Sequence, residues 1–169
     1  MRDEPNSMNP SYLTPAGLRE AAEDLLTEYA DLIDSDRLED WLGLFAEEAV
    51  YRILSRENED QGLPAPLMLC TNKNMLRDRV LALRNANEYN IHYDRHLVSG
   101  VRIRAGEDGL YNLQASYAVY QTSQEGQSSL FSVGRYRDKV RLDGGKLVFI
   151  EKTVIVDTFS VSPLLATPL

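Results

Sequence analysis

An α+β fold is predicted for this chain, with helices gathered in its first half and an antiparallel meander filling the second. Three observations predict it. Apolar residues recur at helical spacing from Leu18 to Ile33 and again from Met75 to Leu83. Beyond His96 the pattern changes to alternation, and Asp-Gly or Gly-Gly pairs separate the alternating runs. Helices followed by consecutive strands, rather than interleaved with them, favour helices packed on one face of a mainly antiparallel sheet.

Residues 1–13, rich in Asn, Pro and Ser, read as a flexible arm before a single domain over residues 14–169. Thr14-Pro15 combines an N-cap residue with proline at the first helical position. The helix that follows carries Ala22, Leu25, Leu26, Tyr29, Leu32 and Ile33 on one face and acids on the other. A shorter helix is expected from Ser35-Asp36, with Leu38, Trp41, Leu42 and Phe45 inward, ending near Glu47-Glu48. Residues 50–56 read as a strand, and residues 57–66, with Gly62, Pro64 and Pro66, as a loop. A third long helix is expected over residues 72–87, capped by Thr71 or Asn72, with Met75, Leu76, Val80 and Leu83 on its core face. Four strands, over residues 96–104, 111–122, 129–142 and 146–159, complete the chain. This order is that of the nuclear-transport-factor-2-like, or cystatin-like, roll, in which a curved sheet and its helices enclose a cone.

The 169 residues carry a net charge of −8, and an acidic chain of this kind is a poor partner for nucleic acid or anionic membranes. No apolar run approaches the roughly 18 residues of a membrane span, and residues 1–10 lack the pattern of a secretory signal. A cytoplasmic location is the expectation. The single cysteine, Cys70, lies in the apolar run 67–70 and reads as a buried small hydrophobe.

No residues of the chain form a recognisable catalytic motif. His92 and His96 are four apart, but the residues after them are strand-like, so helical geometry for a shared metal fails there. A Rieske cluster requires two Cys and two His, and one Cys cannot supply it. Neither a nucleophile elbow nor a phosphate-binding loop occurs. Cone-shaped pockets can also hold acid/base groups, and Tyr29, Asp34, Tyr51 and His96 are the candidates for such a set. Each also has a structural reading: Tyr29 fits the core stripe, Asp34 an inter-helix cap, Tyr51 a strand. A small-ligand binding module on the same roll is a further alternative. Arg52, Arg56, Glu57 and Asn58, with Arg77, Asp78, Arg79 and Arg84, form a dense mixed-charge set that suits either a solvated face or a subunit interface.

Several segments, in order, resemble the small (β) subunits of aromatic-ring-hydroxylating dioxygenases. They are Leu42-x-x-Phe45, Tyr51-Arg52-x-x-x-Arg56-x-Asn58, Gly62, Met75-Leu76-x-Asp78-Arg79-Val80, Arg95-His96-x-Val98, Gly134-Arg135-Tyr136-x-Asp138 and the ending Asp157-Thr158 to Pro168-Leu169. The segment Arg56-Glu57-Asn58 with Gly62-Leu63-Pro64 is most similar to the branch acting on salicylate, anthranilate, halobenzoates or terephthalate. The resemblance implies a structural subunit with no catalytic residue, cofactor or metal of its own. It implies an α3β3 assembly with large (α) oxygenase subunits that carry a Rieske 2Fe-2S cluster and mononuclear Fe(II), fed by a reductase or ferredoxin. Within that reading Arg52, Arg56, Glu57 and Arg79 are the candidate subunit-interface residues.

Overall fold

The computed structural model describes residues 14–63, 65–86, 91–157 and 168–169. The expected arm over residues 1–13 lies outside them, as do Pro64 and residues 158–167. Helix α1 (Pro15–Asp34) starts where the sequence predicts, the Thr14 hydroxyl accepting the Gly17 N–H at 3.1 Å. Its buried face is the predicted stripe, Ala22, Leu25, Leu26, Tyr29, Leu32 and Ile33, joined by Ala30.

The second helix is shorter than expected. Helix α2 (Leu38–Trp41) passes into a 3-10 turn (Leu42–Leu44), and strand β1 (Phe45–Ser55) begins five residues before the predicted strand at residue 50. Glu47 and Glu48 are therefore exposed strand residues, while Phe45, Ala49, Tyr51 and Ile53 point into the core. The helical period through Phe45 and the strand period from Phe45 share that one residue, so periodicity alone cannot place the switch. The loop predicted after β1 contains a short helix, α3 (Arg56–Asp60), capped by Ser55. A short strand, β2 (Met68–Cys70), was not predicted. Cys70 is buried in it, as the apolar run suggested.

Helix α4 (Lys73–Ala86) is capped by Asn72, whose side-chain oxygen accepts the Met75 N–H at 3.0 Å. Leu76, Val80 and Leu83 are buried as expected, but Met75 is exposed, its sulfur lying against Thr71. The meander follows as β3 (His92–Ala105), β4 (Tyr111–Ser123), β5 (Ser128–Asp143) and β6 (Lys146–Val156). All six strands form one sheet in the order β2-β1-β6-β5-β4-β3. Every neighbouring pair is antiparallel except β1 and β6, which run parallel.

Helices α1 and α4 cover the inner face of the sheet. On the outer face α3 reaches over the β1–β6 end, where Glu59 pairs with Arg137 of β5 and Arg56 lies 3.5 Å from Asp157. The core between sheet and helices is aromatic: Tyr29, Trp41, Phe45, Tyr51 and Phe149 meet mostly edge to face, and Tyr117 stacks on Tyr136 at 4.6 Å. Gly134 admits the closest approach, since a Cβ there would lie 2.0 Å from the carbonyl oxygen of Ile155. Three β-bulges bend the meander, in β3 between Ser99 and Arg102, at the β4–β5 pairing near Tyr120, and in β6 between Phe149 and Glu151.

Candidate functional site

The four acid/base candidates fall into two separate pairs. Tyr29 comes from α1 and Tyr51 from β1, and both are fully buried with their hydroxyl oxygens 3.5 Å apart. Both are engaged by Leu169. The Tyr29 hydroxyl donates to the Leu169 backbone oxygen at 2.5 Å, and the Leu169 N–H donates to the Tyr51 hydroxyl at 3.0 Å. Burial pushes the Tyr51 hydroxyl up to about 12 and raises that of Tyr29 as well. Beside Tyr51, between α4 and the sheet, a void of about 10 Å³ remains, no more than one water would need. Among the described residues, side chains and Pro168-Leu169 fill the interior of the cone around these tyrosines.

Asp34 and His96 make the second pair. His96 Nδ1 lies 2.6 Å from one Asp34 carboxylate oxygen, and the His96 backbone N–H donates to the other at 2.8 Å. Both side chains are buried, and His96 Nε2 has no hydrogen-bond partner among the described residues. With both its oxygens occupied, Asp34 bolts the last residue of α1 to β3. His92 lies on the same strand, with Nε2 3.6 Å from Asp94. Strand geometry projects residues four apart to one side but about 13 Å distant, too far to share a metal. No group of three or more potential metal ligands occurs among the described residues.

A third polar pair was not singled out in the sequence. Lys152 Nζ donates to Asp138 at 3.0 Å with both side chains wholly buried, and the ammonium sits 3.2 Å from the Tyr136 ring centroid and 4.4 Å from that of Tyr29. Burial raises Asp138 to about 6 and lowers Lys152 to about 8, each opposed by the attraction of the other. Sealed from solvent, the pair acts on the fold rather than on a substrate.

The interface candidates lie elsewhere. Arg52 points to the outer face of the sheet and pairs with Glu151 of β6 at 2.7 Å, while Lys139 of β5 lies 3.7 Å from the other oxygen of that carboxylate. Arg56 and Glu57 follow on α3, both exposed. Arg79 is exposed on α4, and its charge counteracts the burial that raises the Cys70 thiol. Arg84, grouped with them by sequence, is instead an internal staple. Its guanidinium takes both oxygens of Glu39, at 2.8 and 2.7 Å, and the Asp36 carboxylate at 2.7 Å, tying α4 to the start of α2.

The same roll is found among known proteins. The family model described as ring hydroxylating beta subunit matches residues 28–162. This chain belongs to that family. It is 43% identical over 145 residues to the anthranilate 1,2-dioxygenase small subunit of Burkholderia cepacia, covering 86% of this chain and 90% of that one. The terephthalate 1,2-dioxygenase terminal oxygenase component subunit beta 2 of a Comamonas species is 33% identical, over 83% of this chain and 92% of its own length. Among solved structures, the β subunit of an aromatic-ring-hydroxylating dioxygenase from Novosphingobium aromaticivorans superimposes with a TM-score of 0.82 at 40% identity, over 90% of this chain and 97% of that one. A scytalone dehydratase homologue from the same organism, at 15% identity and a TM-score of 0.66 over 88% of this chain and 89% of its own, shares the fold alone. As a ring-hydroxylating β subunit, the chain is the small, non-catalytic member of an oxygenase, and a large subunit is its implied partner.

Proposed function

We propose that this β subunit braces the large (α) subunit of an oxygenase that hydroxylates or dihydroxylates a benzoate-type aromatic acid, in an α3β3 complex. The observation that carries this reading is the 43% identity, over most of both chains, to the small subunit of an anthranilate dioxygenase. Terephthalate dioxygenase β subunits at 33% and 32% identity support the same substrate class, a carboxylated ring. The large subunit supplies the Rieske 2Fe-2S cluster, the mononuclear Fe(II) and the substrate pocket, and a reductase or ferredoxin supplies electrons in the cytoplasm. A chain with one cysteine can hold no Rieske cluster. In this reading Arg52, Arg56, Glu57 and Arg79 lie at subunit contacts, the exposed charges of α3 and α4 fixing register.

Co-expression with a large subunit tests the proposal. The expected result is a complex whose native mass corresponds to three copies of each chain, whose iron content follows the large subunit, and which oxygenates anthranilate or another benzoate-type acid. Failure to associate with any large subunit of the benzoate-acid branch would overturn the proposal.

A further inference from the structure

Strand β3 would turn Arg102 toward the core if it alternated without a break. Counted from the exposed Ser99, strict alternation sends Val101 outward and Arg102 inward. The bulge between Ser99 and Arg102, with Gly100 at a φ of +66°, moves the phase by one residue. Val101 and Ile103 then pack on the core, and Arg102 and Arg104 stand on the outer face of the sheet. The register sets Arg102 opposite Gln114 of β4 and Gln114 opposite Arg137 of β5. In the next row of that face Ser116 is opposite Arg135.

Gln114 and Ser116 floor a depression of about 350 Å³ whose walls include Arg102, Arg135 and Arg137. Small-molecule sites occupy about 300–1,000 Å³. Charge is arranged here against the trend of the chain, which has 26 acids and 18 Lys and Arg. Elsewhere carboxylates hold the arginines: Arg52, Arg84 and Arg141 each lie 2.7 Å from one, and Arg137 itself reaches Glu59. Arg102, Arg104 and Arg135 make neither an ion pair nor a side-chain hydrogen bond among the described residues. No Asp or Glu occupies an outward position of β3, β4 or β5 beside them. Like charges gathered on one sheet face repel, and an anion placed between them turns that repulsion into attraction.

The chemistry of the lining selects the ligand. A guanidinium group presents paired N–H donors that match the two oxygens of a carboxylate or a phosphate. The Gln114 amide and the Ser116 hydroxyl add neutral donors at the floor. Arg102 and Arg137 start about 10 Å apart, two strand spacings, and Arg135 and Arg137 about 7 Å apart along β5. Side chains of arginine length close those gaps onto an object a few ångströms wide. Two of the three guanidinium groups in the walls carry charge that no residue of the chain offsets, so a ligand with one negative charge would leave one of them unbalanced and a dianion would leave neither.

We propose that this depression is a binding site for a small dianion, a phosphate or a dicarboxylate, neutralised by Arg102 and Arg135 and hydrogen-bonded by Gln114 and Ser116. The site lies within one chain and stands whether or not that chain braces an oxygenase. The face is open to solvent, so occupancy falls as salt is added, with screening over about 10 Å at 0.1 M ionic strength.

The test is isothermal titration of the free chain, at constant low ionic strength, with inorganic phosphate, with succinate and with the monovalent acetate. It is repeated on the double variant Arg102→Gln/Arg135→Gln and on Ser116→Asp, which offers the arginines a carboxylate of their own. Arg37→Gln/Arg77→Gln, exposed residues before α2 and on α4, is the control that changes net charge by the same amount. Circular dichroism and urea midpoints first establish that each exposed substitution leaves the fold intact. The expected result is one saturable site per wild-type and control chain for phosphate or succinate, with acetate and both site variants at least about tenfold weaker. Tighter phosphate than succinate assigns the site to a compact dianion, and the reverse order to an extended one. Absence of saturable binding of either dianion, acetate as tight as the dianions, or an equal loss in the control would overturn the inference. A chain that takes up neither dianion while the site variants lose assembly with a large subunit or with another copy would assign the arginines to a subunit contact, and would equally overturn it. The proposed function is judged separately, by association with a large subunit.

Discussion

Lys152 and Asp138 define the core at the residue scale, because a fully buried ion pair gains little over an apolar pair yet leaves a large penalty when halved. Each half is displaced toward its neutral form by burial, Asp138 to about 6 and Lys152 to about 8, so at neutral pH the two charges hold each other in place. Lys152→Met alone should destabilise the fold by about 3–5 kcal/mol, and Asp138→Leu alone by a similar amount, while the double variant should regain most of the loss. Urea denaturation of the three variants measures this, and additive losses would show that the pair is not coupled. The resemblance motif Gly134-Arg135-Tyr136-x-Asp138 thereby acquires a physical reading. Gly134 admits the Ile155 carbonyl, Arg135 points outward, Tyr136 lies under the Lys152 ammonium, and Asp138 neutralises it. Asp138 was legible as part of the motif, but its partner was not. Counting alternation from Leu147 and Phe149 turns Glu151 inward and Lys152 outward. The bulge after Phe149 shifts the phase by one residue and reverses both.

Elements whose ends carry a chemical signal were legible, and those fixed by contacts from distant chain were not. α1 begins at a Thr-Pro cap and α4 at an Asn cap, both visible in the sequence. α2 ends early because Phe45 and the residues from Val50 onward are claimed by pairing of β1 with β6, a contact across about a hundred residues. β2 exists only as the antiparallel neighbour of β1. Arg84 illustrates how tertiary proximity reassigns a residue from surface charge to staple. Its hydrogen bonds hold the Glu39 carboxyl at about 2, below its ordinary 4.5. A folded-state value below the unfolded one contributes stability that is present above about 4.5 and lost as pH falls toward 2. Arg84→Met should therefore flatten the acid limb of the stability profile between those values. Denaturant midpoints at several pH values check this, and an unchanged slope would show that the staple does not operate in solution.

At the scale of the whole molecule, the contents of the cone bear on stability. Here Leu169 enters it, buried, with its backbone satisfied by Tyr29 and Tyr51. Leu169→Ala should cost about 2–4 kcal/mol of stability through the cavity it leaves. Scanning calorimetry would read the loss as a lowered Tm, and an unaltered Tm would show that the cone is closed by other residues. Composition, the two periodicities and the turn pairs determined the α+β class, the order of helices before meander, and the absence of a Rieske ligand set, because each depends on local spacing or on a count. Tertiary structure alone decided the parallel β1–β6 pairing, the Lys152–Asp138 pair, and the separation of Tyr29 and Tyr51 from Asp34 and His96. Those features depend on which strands become neighbours and where a bulge shifts their phase, and nothing within a single segment encodes its partner.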